Sequence, residues 1–208
     1  MSETKQKLIT MLKLQGEMNS WVHEDWPEQG FEWYRAIWME ASEMLEHYGW
    51  KWWKHHQPDL PQVKLEVIDI VHFSLSIELQ TGYPLEHIAD QIAADFARPC
   101  TSEDIKTSIE LLAVETLKDK GAHFDIIAGL MQQLDMSLDE LYERYVGKNV
   151  LNIFRQDNGY KTGEYIKMWN GREDNEYLEE ILESLDVNSA TYRDDVYESL
   201  STKYSVIH

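Results

Sequence analysis

Apolar residues recur at helical spacing along most of the chain. The clearest example has apolar side chains at positions 37, 38, 41, 44, 45 and 48, a period near 3.6 residues. Gly49 is expected to end that helix, because glycine readily adopts the left-handed conformation found after helix ends. A second helix is predicted from Val63 to Leu79. It is apolar on most of its circumference, so we expect it to be buried.

Turn signals separate further helices. The sequence TGYP ends the second helix, and a third is predicted from Leu85 to Phe96. The next is expected to begin with Thr101 or Ser102 as its N-cap. One or two helices then run to Asn158-Gly159, and the tail after residue 175 is amphipathic. We find no convincing alternating strand, long linker or internal repeat. The sequence therefore predicts an all-α, single-domain helical bundle spanning residues 1–208, with motifs in residues 8–175 and a C-terminal helical tail in 176–208.

Composition narrows the class of protein. Acidic residues outnumber basic ones 38 to 19, which gives a formal charge of −19. Such a field disfavours a nucleic acid partner. The single Cys100 excludes an internal disulfide framework and is typical of a reducing compartment. The charged N-terminus is unlike a signal peptide, and no stretch approaches the roughly 20 apolar residues of a bilayer span. We therefore expect a cytoplasmic protein with no membrane partner.

Two pairs of acidic residues stand three positions apart, Glu40 with Glu43 and Glu66 with Asp69. Residues at this spacing share a helix face. Glu66 and Asp69 interrupt an otherwise apolar helix, where burial is unfavourable unless a cation compensates their charge. If the two helices form an antiparallel hairpin, the pairs converge on a Mg²⁺ site. The alternative is an ordinary solvated acidic face, which we expect of the acids at positions 176, 179, 180 and 183.

Positive charge is concentrated in one segment. Five of the 19 basic residues fall between Lys148 and Arg172, opposed there by only Asp157 and Glu164. Lys148, Asn152 and Arg155 are spaced to share one helix face. A compact anion such as a di- or triphosphate would suit this segment, although a glycine-rich surface loop with scattered salt bridges is the alternative. Metal-binding acids and a cationic segment together predict hydrolysis of phosphoanhydrides by water, since neither a Walker-type glycine loop nor a nucleophile motif is present.

These motifs resemble a known family. The two acidic pairs and the tryptophan segment GWKWWK (residues 49–54) are similar to those of the all-α nucleoside triphosphate pyrophosphohydrolases, the MazG-like superfamily. The longer block GKNVLNIFRQDNGYKTGEYIKMWNGREDN, together with MLKLQGEMN near the start, resembles the dimeric dUTPases in particular. The resemblance implies a homodimer that hydrolyses dUTP, and also dUDP, to dUMP and so keeps uracil out of DNA.

The resemblance also implies roles for individual residues. Two or more Mg²⁺ ions would be held by Glu40, Glu43, Glu66 and Asp69, with Glu43 as the general base. The phosphate chain would be contacted by Lys148, Arg155, Tyr160 and Lys167, with help from Lys161. The uracil or deoxyribose would be contacted by Gln15, Asn19 and Asn152, between aromatic walls formed by Phe73 and Trp52. For the other tryptophans of the segment, packing in the core is the alternative. His47, His55, His56 and His72 are interpreted as structural or surface residues.

Three alternatives remain at this point. A related pyrophosphohydrolase for another deoxynucleotide, such as dCTP, would share the metal ligands and differ at the base-contacting positions. A non-catalytic helical interaction protein would need no metal. A di-iron enzyme is disfavoured because the chain lacks the second of two Glu-x-x-His units that such a bundle requires.

Overall fold

The structure, a computed structural model, describes residues 2–187, 189 and 191–207. Helices dominate this part of the chain, so the all-α prediction is confirmed. The helices are α1 (Glu3–Val22), α2 (Trp33–Tyr48), α3 (Leu60–Gln80), α4 (Leu85–Phe96), α5 (Ile105–Asp119), α6 (Phe124–Gln133), α7 (Leu138–Asp157), α8 (Asp174–Ser184) and α9 (Tyr192–Ile207). Short 3₁₀ turns lie at Trp26–Gln29 and Tyr160–Thr162. No helix in the described residues is long and apolar enough to cross a membrane.

Contacts divide the chain into two compact units, Met1–Leu141 and Tyr142–His208, with the boundary inside α7. The sequence predicted one domain of residues 1–208, and that organisation stays a prediction. In the first unit α3 packs against α2, α1 and α6, and α5 packs against α2. The apolar residues of α3 are almost completely buried, including Val63, Ile68, Val71 and Leu75 at 0% exposure. The expectation of a buried central helix is confirmed.

Helix ends follow local chemistry. Gly49 ends α2 with a left-handed φ of 89°, as predicted. The N-cap predicted for α5 is wrong: Asp104, and neither Thr101 nor Ser102, occupies that position. Its Oδ1 accepts a hydrogen bond from the backbone N of Thr107 at 2.9 Å. The short Asp side chain one residue before the helix satisfies an otherwise unpaired N–H group.

The second unit contains a small β-hairpin that the sequence analysis did not predict. Strands β1 (Met168–Trp169) and β2 (Arg172–Glu173) pair antiparallel. Between them Asn170 and Gly171 have φ values of 48° and 84°. Positive φ at both central residues is the geometry of a type I′ turn, for which Asn-Gly is a preferred pair. The strands are only two residues long, too short to show an alternating pattern.

Aromatic rings form much of the core of the second unit. Trp169 is fully buried and its ring centroid lies 5.3 Å from that of Tyr204. Tyr204 also stacks on Tyr165 at 5.4 Å, and Phe154 meets Tyr204 edge-on at 5.5 Å. The Nε1–H of Trp169 donates to the carbonyl oxygen of Ile166 at 2.8 Å, so its polar atom is satisfied despite burial.

One acidic residue of α8, Glu179, is not solvent-exposed as predicted. The side chain of Glu179 is only 14% exposed and forms a salt bridge with Arg144. Glu180 is exposed to a larger degree and pairs with Arg172 and Lys203. A run of acids on one helix therefore includes a part-buried ion pair, which charge pattern alone does not reveal.

Candidate active site

The hairpin of α2 and α3 brings the two acidic pairs together. The backbone N of Asp59 donates to the carbonyl oxygen of His47 at 3.0 Å, so the end of α2 lies beside the start of α3. Asp59 also caps α3 by accepting from the backbone N of Gln62 at 3.3 Å. Since α2 packs along α3, the two helices must run antiparallel. The predicted hairpin is therefore present.

Three of the four predicted metal ligands form one cluster. Glu40, Glu43 and Glu66 each offer a carboxylate oxygen, and these oxygens all lie within 4.8 Å of one another. Glu66 is buried, Glu40 is half-buried and Glu43 is exposed. Three like charges at this separation repel one another, and burial strengthens the repulsion. A divalent cation that accepts hard oxygen ligands would remove that cost. We call these three residues the carboxylate cluster.

Asp69, a predicted ligand, lies outside the carboxylate cluster, whereas His47, which was not predicted to be part of the site, lies beside it. Asp69 lies one helical turn after Glu66 and is half-buried, but it is not among the three residues whose oxygens converge. His47 lies beside the cluster: its Nε2 is 3.5 Å from Oε1 of Glu66. From its sequence, His47 is expected to be a structural or surface residue. Its position four residues after Glu43 was the available signal, because residues at that spacing share a helix face.

The two amides assigned to the nucleoside are buried between α1 and α3. Gln15 is 4% exposed and Asn19 is 2% exposed. Nε2 of Gln15 donates to Oδ1 of Asn19 at 2.8 Å, and Nδ2 of Asn19 donates to Oγ of Ser76 at 3.0 Å. Nδ1 of His72 lies 2.7 Å from Oε1 of Gln15. These hydrogen bonds fix the position and orientation of both amides.

An aromatic wall adjoins this region. Phe73, the predicted wall residue, stacks on Trp33 with ring centroids 6.2 Å apart and an interplanar angle of 27°. Phe31 and Trp26 meet Trp33 edge-on at 5.4 Å and 6.3 Å. Trp33 was not among the residues predicted from the sequence. Aromatic residues at 31 and 33, where α2 begins, were the available signal.

The tryptophan segment is exposed, so packing in the core is excluded for it. Trp50, Trp52 and Trp53 are 42%, 89% and 56% exposed. They contact one another edge-on, with centroids 5.2 Å apart for Trp50 and Trp53 and 5.4 Å apart for Trp52 and Trp53. A contiguous exposed aromatic patch of this kind often marks a binding surface. The segment remains a candidate contact for the base.

In the second unit Arg155 is held in a buried network. Its Nε and Nη2 donate to the two carboxylate oxygens of Asp174 at 2.8 Å and 2.7 Å, a bidentate arrangement. Asp174 is fully buried and also accepts from the hydroxyl of Tyr165 at 2.7 Å. Burial alone would raise the pKa of the Asp174 carboxyl, but the hydrogen bonds and charge of Arg155 hold that pKa below its ordinary value. Burial and the bond to Asp174 raise the pKa of Tyr165.

Lys148 and Asn152 lie on the same face of α7 as Arg155, as their spacing predicted. Nη1 of Arg155 donates to Oδ1 of Asn152 at 3.1 Å. Nζ of Lys148, which is 4% exposed, donates to Oδ1 of Asn175 at 3.0 Å. Arg155 reaches the same Asn175 oxygen at 3.4 Å. Asp174 and Asn175 were the partners that the sequence analysis missed, because they fall just beyond the segment whose charges it counted.

The remaining predicted phosphate contacts are exposed. Tyr160 is 52% exposed, and Lys161 and Lys167 are also exposed. Nζ of Lys167 forms a salt bridge of 3.0 Å with Glu173, in which both side chains are about half exposed. Such a pair is weak and can be exchanged for a stronger anion. The cationic segment thus contains a fixed part, Lys148 and Arg155, and an accessible part.

Comparison with known sequences agrees with these features. A family model described as dUTPase matches residues 7–160, well over half of the chain. The matched range contains the carboxylate cluster, Asp69, the buried amides and Arg155, whereas Lys161 and Lys167 lie beyond it. A comparison with curated proteins gives no significant match. On the family match, the chain belongs to the all-α dimeric dUTPase family and is a dUTP diphosphatase.

Proposed function

We propose that the protein hydrolyses dUTP and dUDP to dUMP in a Mg²⁺-dependent reaction at the carboxylate cluster. The convergence of the Glu40, Glu43 and Glu66 oxygens within 4.8 Å carries this proposal. Asp69, one turn from Glu66 on α3, is the fourth ligand. The donor set consists of carboxylate oxygens, which Mg²⁺ prefers, and two or more ions would balance four negative charges. When bound, Mg²⁺ lowers the pKa of a water ligand and neutralises charge on the phosphate oxygens.

Glu43 acts as the general base. It is the most exposed member of the carboxylate cluster, so it is open to water and substrate. Glu43 takes a proton as the water oxygen attacks the β-phosphorus and forms a new P–O bond. The bond from the β-phosphorus to the bridging oxygen breaks, and dUMP leaves with that oxygen. Pyrophosphate is the second product from dUTP and phosphate is the second product from dUDP, because both substrates contain the bond that breaks.

The other predicted residues hold the nucleotide. Gln15 and Asn19 bind the edge of the base, Phe73 supplies one aromatic wall and Trp52 closes over the other side. Asn152 contacts the nucleoside. Positive charge for the phosphate chain comes from Lys148, Arg155 and Lys167, with Lys161 beside them, and the Tyr160 hydroxyl donates a hydrogen bond. Lys167 exchanges its exposed partner Glu173 for a phosphate oxygen.

The protein acts as a homodimer in the cytoplasm, where removal of dUTP keeps uracil out of DNA. Two exposed apolar residues on α5, Val114 and Leu117, support self-association because they lie three residues apart and share a helix face. The unpaired Cys100 supports a reducing compartment. Light scattering coupled to size exclusion tests the dimer, and a monomeric mass at micromolar concentration would contradict it.

The reaction is tested by following phosphate and pyrophosphate release from a panel of deoxynucleotides, with and without Mg²⁺. We expect release from dUTP and dUDP only with Mg²⁺, and loss of at least about 100-fold in kcat for Glu66→Gln. Glu86→Gln, an exposed acid on α4 outside the site, is the matched control and should retain activity. Preference for dCTP would refute the substrate, whereas full activity of Glu66→Gln would refute the site.

A further inference from the structure

Four side chains between α1 and α3 form a continuous hydrogen-bonded chain, which we call the polar chain. Its members, Gln15, Asn19, His72 and Ser76, are 4%, 2%, 5% and 0% exposed. Adjacent members are joined at 3.0 Å from Asn19 to Ser76, 2.8 Å from Gln15 to Asn19 and 2.7 Å from His72 to Gln15. Because the members are buried, each hydrogen bond is made to protein and constrains the next.

At the Ser76 end of the polar chain, the donor and the acceptor of the hydrogen bond are fixed. Oγ of Ser76 donates to the backbone carbonyl oxygen of His72 at 3.0 Å, one helical turn earlier. A carbonyl oxygen can only accept, so the single hydroxyl proton is committed there. The other possible acceptor of that proton, Oδ1 of Asn19, lies farther away at 3.4 Å. Oγ of Ser76 must therefore accept from Asn19.

This direction propagates along the polar chain. Since Ser76 accepts, the NH₂ group of Asn19 faces Ser76 and its oxygen faces Gln15. The NH₂ group of Gln15 then donates to Asn19, and its oxygen accepts from Nδ1–H of His72. In neutral imidazole one ring nitrogen carries the proton. The direction of the chain thus assigns the proton of His72 to Nδ1 and fixes both amide orientations.

The orientation of an amide determines which base it can pair with through hydrogen bonds. Uracil presents a carbonyl oxygen at C4 and a protonated N3, whereas cytosine presents an amino group at C4 and an unprotonated N3. An amide that flips by 180° exchanges its donor and acceptor, so it can satisfy either base. A buried amide that cannot flip satisfies one base and leaves the other with unpaired polar groups.

We propose that Ser76 is a positioning residue for base selection, which sets the donor and acceptor pattern of Gln15 and Asn19 through its bond to the His72 carbonyl. The proposal rests on the proposed role of the two amides in binding the base. Ser76 does not touch the substrate; it acts through Asn19. The chain offers a matched control in Ser74, which is equally buried on the same helix but whose Oγ has no hydrogen-bond partner among the described residues.

The first test needs no substrate. The ¹⁵N chemical shifts of the His72 ring, measured in the full-length protein at a pH of about 8.5 where imidazole is ordinarily neutral, report which nitrogen carries the proton. We expect Nδ1–H in the wild-type protein and in Ser74→Ala, and a mixture of tautomers in Ser76→Ala. A proton on Nε2 in the wild-type protein, or an unchanged tautomer in Ser76→Ala, would overturn the proposed direction.

The second test measures kcat/KM for dUTP and dCTP in the same three proteins. We expect Ser76→Ala to reduce the preference for dUTP by about tenfold, mainly through a higher KM for dUTP, because the carboxylate cluster is untouched. Ser74→Ala should keep the wild-type ratio. A general loss of structure would lower kcat/KM for dUTP and for dCTP by the same factor and leave their ratio unchanged. That result would overturn the role of Ser76 in base selection.

The two tests separate failure of this proposal from failure of the proposed function. If Ser76→Ala gives a mixture of His72 tautomers but keeps the preference for dUTP, the polar chain does not select the base. The proposed hydrolysis of dUTP is unaffected by that result. If the wild-type protein fails to hydrolyse dUTP, the proposed function is wrong, and this is seen before any variant is made.

Discussion

The imidazole of His47 on α2 reaches across to α3, where its Nε2 lies 3.5 Å from Oε1 of Glu66. Glu66 is the buried member of the carboxylate cluster, and His47 is its neighbour from the opposite helix. A group that contacts a metal-binding carboxylate fixes the direction in which that carboxylate points. In the proposed Mg²⁺ site, His47 would therefore stabilise the orientation in which Glu66 faces Glu40 and Glu43.

Substitution of His47 should weaken metal binding more than it weakens folding. We expect His47→Ala to raise the Mg²⁺ concentration needed for half-maximal activity by about tenfold, since Glu66 loses a contact that orients it. Titration of activity with Mg²⁺ measures this. His55→Ala, in the exposed loop between α2 and α3, is the control and should follow the wild-type titration. An identical Mg²⁺ requirement in both variants would show that the 3.5 Å contact has no influence on the site.

Magnesium should stabilise the folded protein through the carboxylate cluster. At a Mg²⁺ concentration about 100 times Kd, binding to the native state adds about 2.7 kcal/mol to the free energy of unfolding. For a chain of this size that corresponds to a rise in Tm of roughly 5–10 °C. The rise should be small in Glu66→Gln, which removes the buried charge. Thermal unfolding with Mg²⁺ and with a chelator tests this, and equal shifts in both proteins would place metal binding elsewhere.

Asp174→Asn should destabilise the second unit because it removes the carboxylate charge that pairs with the guanidinium of Arg155 through two hydrogen bonds. Breaking a buried pair of this kind costs about 3 kcal/mol. Asp157→Asn is the matched control: Asp157 is exposed and accepts from the Tyr197 hydroxyl at 2.8 Å, which an Asn oxygen can replace. Urea unfolding of both variants measures the difference. A change below 1 kcal/mol in Asp174→Asn would contradict the importance of the network.

The same carboxylate gives the stability a predictable pH dependence. The pKa of Asp174 is lower in the folded protein than its ordinary value of 3.8, so the folded state binds fewer protons than the unfolded state. The stabilisation from this group is therefore fully present above pH 3.8 and is lost as the pH falls through the lower folded pKa. The difference in unfolding free energy between wild type and Asp174→Asn should shrink over that acid range. A difference that stays constant from pH 6 to pH 2.5 would refute the ionic contribution.

Substitution of Trp52 should change substrate binding without changing the stability of the fold. Its side chain is 89% exposed, so Trp52→Ala removes almost no buried area. We expect an unchanged Tm and a KM for dUTP that is roughly tenfold higher, the magnitude of one lost stacking contact between an aromatic side chain and a base. Trp21→Ala, an exposed residue of α1, should change neither quantity. A wild-type KM in Trp52→Ala would exclude this ring as a wall of the base site.

Features that depend on local periodicity could be predicted from the sequence. The bounds of α4, the end of α2 at Gly49 and the burial of α3 follow from spacing, turn residues and apolar pattern. The convergence of Glu40, Glu43 and Glu66 followed from the hairpin that these boundaries imply. Position along a helix was enough in each case, because a helix converts sequence spacing directly into geometry.

Features that depend on tertiary partners were missed. The hairpin around Asn170-Gly171 has strands too short for a periodic signal. Glu179 belonged to an acidic run that looked solvated, yet it pairs with Arg144 from another helix. Arg155 was expected to contact the phosphate chain, and its pairing with Asp174 depends on a contact between residues 19 positions apart. The role of His72 depends in the same way on a second helix, because its partner Gln15 lies on α1.

Helix α3 carries one member of the carboxylate cluster, the aromatic residue Phe73 and both ends of the polar chain. Glu66 and Phe73 are seven residues apart on α3, and at 1.5 Å per residue they are separated by about 10 Å along its axis. In the proposed site, a nucleotide would place its base against Phe73 and its phosphates at the carboxylate cluster. Free pyrophosphate would contact only the carboxylate cluster and a free nucleoside only Phe73. The proposed site would therefore bind a complete nucleotide more tightly than either of these parts.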